Sequence, residues 1–109
     1  MAETLAEKII ALAANRNKVC PGEIVTCKVD LAMMHDSGGP RRIKPILERL
    51  HAKVWDADKV VLVSDHYAPA VDAESAAILS LTRKWAVENG IKNFYDQEGI
   101  CHVILPERG

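Results

Sequence analysis

The chain has 109 residues, a formal net charge of -1, and 49% hydrophobic against 27% charged residues, the composition of one folded domain and not of a disordered segment. That charge argues against a dedicated nucleic-acid binder, and one Phe, two Trp and two Tyr are too few to build stacking platforms for single strands. Cys20, Cys27 and Cys101 are odd in number and lack C-x-x-C spacing, so they read as reduced thiols of a cytoplasmic protein and not as a disulfide framework. The opening residues carry Glu3, Glu7 and Lys8 and no long apolar run, which predicts neither a signal peptide nor a membrane span.

Thr4-Leu5-Ala6-Glu7 is a capping-box pattern, and Leu5, Ile9, Leu12 and Ala13 recur at helical spacing, predicting a helix to about Ala14. Pro21-Gly22 marks a turn. Residues 24–29 set Val25, Cys27 and Val29 against Ile24, Thr26 and Lys28, the alternation of a strand with one drier face, which makes Cys27 a small core residue and leaves Cys20 an incidental thiol. Residues 30–40 are polar and glycine-rich. Gly38 and Gly39 let backbone approach a ligand closely, although neither a G-x-G-x-x-G nor a Walker pattern is present. His35-Asp36 pairs an imidazole with an acid at what would be the end of another strand.

A helix is expected next, with Ile43, Ile46, Leu47 and Leu50 on one face and Pro45 either in its first turn or at a kink. Arg41, Arg42 and Lys44 read as a solvated basic face, and Trp55-Asp56-Ala57-Asp58 as a turn. Val60-Val61-Leu62-Val63 has no alternation and so predicts a strand buried on both faces, as a parallel sheet covered by helices requires. The run stops on Asp65 and His66, with Pro69 enforcing a turn, at the strand end where ligands of such sheets collect. A carboxylate there fixes the tautomer of its imidazole and suits it to proton transfer; the competing reading is a surface turn capped by two polar residues.

Beyond Pro69, Asp72 and Glu74 favour a helix start, Ile78, Leu81 and Trp85 give it a buried face, and Asn89-Gly90 stops it. Residues 91–95 read as a short strand, 96–99 as a turn, and 100–105 as a further strand closed by Pro106, with His102 inside the apolar run as a core histidine. The alternation of strands and helices predicts a single α/β domain over residues 1–109, three-layered, with a mainly parallel sheet flanked by helices.

Pro21-Gly22-Glu23-Ile24-Val25, Val29-Asp30-Leu31-Ala32-Met33, His35-Asp36, Lys53-Val54-Trp55-Asp56, Asp65-His66-Tyr67-Ala68-Pro69, Gly90-Ile91-Lys92-Asn93-Phe94 and Gly99-Ile100-Cys101-His102 occur in this order. Together with the opening helix and Leu105-Pro106-Glu107 they resemble the start of the aconitase superfamily, in particular the large subunits of 3-isopropylmalate dehydratase, homoaconitase and their relatives. The resemblance implies a hydro-lyase that removes and re-adds water on a small hydroxy di- or tricarboxylate, with a 4Fe-4S cluster as Lewis acid. It also implies that His66, oriented by Asp65, donates a proton to the departing hydroxyl, that His102 is a second site histidine, and that His35 stands where relatives contact cluster-bound water.

The match covers only about the opening quarter of the family's large subunit and stops before its Asp-Ser-His motif. The cluster cysteines, the substrate-binding arginines and the serine base all belong to later sequence, so Cys20, Cys27 and Cys101 are not assigned as ligands. Met33-Met34 and Asp36-Ser37-Gly38 depart from the common threonine-bearing pattern, and the turn at 96–99 is shorter than usual. Two readings follow: a portion of an iron-sulfur hydro-lyase that works with the remaining large-subunit domains or the small subunit, or a non-catalytic α/β binding or assembly module derived from it. Either way a sheet without the domains that normally pack on it is expected to expose apolar surface and so to form an oligomer or a complex, while charge and composition predict no role for nucleic acid or membrane.

Overall fold

The computed structural model describes residues 2–109, which divide into two compact units between Asp30 and Leu31. In the first unit, helix α1 (Leu5–Ala13) opens on the expected capping box: Glu7 N donates to Thr4 Oγ1 at 3.2 Å, and Thr4 N donates back to Glu7 Oε2 at 2.7 Å. Ala11 and Val19 are its buried apolar residues.

The strand expected at 24–29 is absent. That segment has no ladder partner; it runs against the end of α1, with Lys28 N donating to Ala13 O at 2.9 Å, and Ile24, Cys27 and Val29 are exposed. Alternation alone cannot make a strand, because each backbone N–H and C=O still needs a neighbouring strand to pair with. Cys27 is accordingly not a core residue.

The second unit holds a three-stranded parallel sheet, order β1-β2-β3, built from β1 (Ala32–His35), β2 (Val60–Ser64) and β3 (Asn93–Asp96). Its first strand thus falls in the stretch that had read as a glycine-rich loop, and His35 is its last residue. Every residue of β2 is buried, as its unbroken apolar run requires. Val60 and Leu62 pack on one face with Trp85, Ala86 and Ile91; Val61 and Val63 pack on the other with Cys101 and Ile104.

Helix α2 (Pro40–Arg49) follows β1, with Pro40 in its first turn and Pro45 inside it, beyond the first turn. Leu47 packs against the core, whereas Ile46 and Leu50 are exposed, so the apolar stripe is only partly covered. Helix α3 (Ala73–Glu88) is capped by Asp72, whose Oδ1 accepts from Ser75 N at 2.7 Å, and buries Ile78, Leu79, Thr82 and Trp85. Arg83 crosses from α3 to the end of β3, its Nε donating to Asp96 Oδ2 at 2.6 Å.

The last apolar run is a helix, α4 (Cys101–Arg108), and not the expected strand. A short unbroken apolar run does not distinguish the two; here Cys101 and Ile104, three apart, are buried on one helical face, while His102 and Val103 are exposed. His102 is therefore not the core histidine its neighbours suggested, and Pro106 is accommodated inside the helix.

Among the described residues one buried hydroxyl, Ser64 Oγ, has no hydrogen-bond partner on the protein. Removing an unsatisfied polar atom relieves its desolvation cost, so Ser64→Ala is expected to raise the unfolding free energy by about 1 kcal/mol, read as a higher urea midpoint at unchanged m value.

Candidate functional site

The carboxyl ends of β1 and β2 lie side by side, His35 in register with Val63, and the ladder is extended by Asp36 N donating to Val63 O at 3.0 Å. Two imidazoles meet there. The rings of His35 and His66 stack with centroids 4.1 Å apart and planes 17° from parallel.

Asp65 and His66, adjacent in sequence, are brought together by the turn that ends β2. Asp65 Oδ1 is 2.5 Å from His66 Nδ1, and Asp65 Oδ2 accepts the backbone N–H of Cys101 at 2.8 Å, so one carboxylate orients the ring and anchors the first turn of α4. Burial pushes the Asp65 carboxyl up, but the Cys101 amide and then the His66 imidazole oppose it and together hold it below its ordinary value.

A carboxyl whose folded pKa is depressed binds fewer protons than in the unfolded chain, so its ionised form stabilises the fold. That contribution is complete above the ordinary aspartate value of about 4 and is lost as pH falls through the lower folded value. Between about pH 5 and pH 2, the parent chain is therefore expected to lose urea stability more steeply than Asp65→Asn, and equal slopes would remove the linkage.

Asp36 is fully buried and was not singled out as a site residue from the sequence. Its Oδ1 accepts from Ser37 N at 3.0 Å and His66 N at 3.1 Å, and its Oδ2 accepts from Tyr67 N at 3.0 Å. It thereby ties the end of β1 to the backbone that carries His66. The sequence pairs this acid with the neighbouring His35; in the structure its hydrogen bonds go to the backbone amides of Ser37, His66 and Tyr67, and the imidazole it lies near is that of His66, whose Nδ1 is 3.5 Å from Asp36 Oδ1. Tyr67 is held further by Arg41, whose guanidinium donates to its hydroxyl at 3.0 Å.

His35 is oriented from within its own turn, Nδ1 accepting from Gly38 N at 3.1 Å. Gly39 is required there, since a Cβ on it would stand 2.6 Å from His35 O. Among the described residues His102 makes no hydrogen bond to His35, Asp65 or His66; it sits exposed on α4, next to the residue Asp65 anchors. A cleft of about 270 Å³ opens beside Asp65, with Pro69, Gln97 and Ile100 among its walls.

His35, Asp36 and His66 offer ligand-type atoms within 4.8 Å of one another, the one such grouping among the described residues. The arrangement suits hydrogen bonding better than coordination: near-parallel rings do not converge their lone pairs, and the Asp36 oxygens already hold three amides. No cysteine joins the group. Cys101 is buried, and burial first, then the Asp65 carboxylate, push its thiol pKa up, which opposes the thiolate that a cluster ligand must be. Cys20 and Cys27 are exposed. The thiols of this chain do not make a set for a 4Fe-4S cluster.

The second unit is thus a parallel α/β fold that gathers a carboxylate and two imidazoles at the carboxyl ends of its strands. No family model matches the chain, but by sequence it is homologous over its full length to the large subunits of 3-isopropylmalate dehydratase and homoaconitase. It is 42% identical over 110 residues to the probable 3-isopropylmalate dehydratase large subunit of Methanothermobacter thermautotrophicus, covering 100% of this chain. Identity is 44% to the 3-isopropylmalate dehydratase large subunit of a Hydrogenobaculum species, again over 100% of this chain. It is 44% as well to the probable methanogen homoaconitase large subunit of M. thermautotrophicus, over 96% of it. The chain spans 26% of the length of each of these relatives.

Proposed function

We propose that this chain is a portion of an iron-sulfur hydro-lyase resembling 3-isopropylmalate dehydratase, in which it supplies the proton-transferring end of a site for a small hydroxy di- or tricarboxylate. The observation that carries this reading is the Asp65 carboxylate shared between His66 Nδ1 and the Cys101 amide. With Nδ1 engaged, His66 works through Nε2, on a ring whose side chain is 40% exposed and so open to a ligand. As imidazolium, it gives its Nε2 proton to the departing hydroxyl, which leaves as water; in the reverse direction the same nitrogen takes a proton from water. His35 lies against it as a second polar contact, and His102, on α4, is assigned to the rim of the same site.

The 4Fe-4S cluster implied by the relatives finds no ligand set in this chain, so no step is routed through it and its cysteines are assigned to other parts of the enzyme. The partners proposed are the remaining large-subunit domains and the small subunit. In support, Trp55, Val71 and Val87 are 98%, 86% and 82% exposed, apolar surface that a partner would cover. The compartment is read as cytoplasmic from the free thiols; among the described residues no helix is long and apolar enough to cross a membrane.

The test is complementation: the chain is combined with the other three quarters of a related large subunit and with its small subunit, the cluster is reconstituted anaerobically, and dehydration of 3-isopropylmalate is followed. Activity that needs this chain supports the reading. A stable complex without activity would make the chain a non-catalytic assembly module.

A further inference from the structure

Two imidazoles that stack this closely are not equivalent, and the difference is written in their Nδ1 partners. At His66, Nδ1 faces a carboxylate, which only accepts; Nδ1 must carry the proton, and Nε2 is left as the nitrogen that gains and loses one. At His35, Nδ1 faces the Gly38 N–H, which only donates; Nδ1 must be bare, and in the neutral ring Nε2 carries the proton. A proton on His35 Nδ1 would point at the Gly38 N–H and break that hydrogen bond. The contact is also tightly built, because a Cβ on Gly38 would stand 3.1 Å from His35 Cε1, so any larger residue displaces the ring.

We infer that Gly38 is a positioning residue whose amide locks His35 in the Nε2–H tautomer, so that the stacked pair presents a permanent hydrogen-bond donor beside a proton-transferring nitrogen. The ligand chemistry this selects is an oxygen acceptor, a carboxylate or carbonyl, adjacent to a hydroxyl that is to be protonated: His35 holds the first and His66 acts on the second. The choice of a hydroxy acid rests on the hydro-lyase reading; the tautomer does not.

The experiment is nitrogen-15 NMR of the whole chain, imidazoles labelled, above the pH at which both rings are neutral. The expected spectrum has His35 with a bare Nδ1 and a protonated Nε2, a nitrogen-nitrogen coupling across the hydrogen bond from the Gly38 amide to His35 Nδ1, and His66 in the opposite tautomer. In Gly38→Ala the coupling is expected to vanish and His35 to relax to the tautomer mixture of free imidazole, while His66 is unchanged and reports that the fold survives. If Gly38→Ala does not fold, the parent spectrum decides alone: no coupling together with a mixed or Nδ1-protonated His35 overturns the proposal. Titration with malate, done on the labelled chain combined with the remaining large-subunit domains and the small subunit, separates the two layers. Coupling present without any malate-induced shift at either ring leaves the lock standing and removes the hydroxy acid, whereas malate shifts without the coupling remove the lock and leave the hydro-lyase reading intact.

Discussion

On the proposed hydro-lyase reading, replacing His66 by alanine is expected to lower turnover of the reassembled complex by about 10²–10⁴-fold, the usual contribution of a general acid, with a smaller loss of urea stability than Asp65→Asn. The stability half of the expectation follows from position: the ring is 40% exposed, and the backbone N–H of residue 66, which holds the turn to Asp36, survives the substitution. Asp65→Asn should act differently. It leaves one carbonyl oxygen where two carboxylate oxygens served His66 Nδ1 and Cys101 N, so the ring is less firmly oriented and activity falls by a smaller factor while stability falls too. Comparing kcat and urea midpoint for the two variants separates chemistry from anchoring. An active complex indifferent to both changes would reduce this strand end to scaffold.

Asp36→Asn is expected to cost about 1–3 kcal/mol, and Asp36→Ala about 3 kcal/mol or more, although neither removes a residue that has been assigned to proton transfer. The carboxylate is fully buried and receives three backbone amides. An asparagine keeps one acceptor oxygen and turns an N–H₂ toward an N–H, while an alanine leaves the amides of Ser37, His66 and Tyr67 without this acceptor. The turn should then loosen before the sheet does. Hydrogen exchange would show this as faster exchange at residues 66 and 67 than along Val60–Ser64, and uniform acceleration over both would mean that Asp36 stabilises the whole unit and not the turn.

How much of this was legible beforehand depends on what each element needed. The central strand was readable because four consecutive apolar residues, Val60 to Val63, suit a position covered on both faces, and all four are buried. Helix α1 announced itself through Thr4 and Glu7, whose capping bonds are local, and α3 through Asp72 for the same reason. The resemblance to dehydratase large subunits was likewise carried by short segments in order along the chain, and the 42% and 44% identities agree with it.

Misreadings fell where pairing or packing had to decide. Residues 24–29 alternate as a strand does, yet the sheet takes Ala32–His35 as its first strand because that segment is the one paired to β2. The run at 100–105 has the apolar content of a strand, but Asp65 caps its backbone at Cys101 and the sheet face needs Cys101 and Ile104 together, so it coils.

The α/β class, the buried central strand and the placing of Asp65 and His66 at its carboxyl end follow from local hydrophobic pattern and from where that pattern stops, and so are written in the order of residues. The stacking of His35 on His66, the bonds from Asp36 to amides thirty residues on and the place of His102 on a helix come from folding alone. A hydrogen bond or a ring contact between distant segments depends on strand register and on the turn the chain takes beyond each strand. Neither leaves a periodic trace in the order of residues.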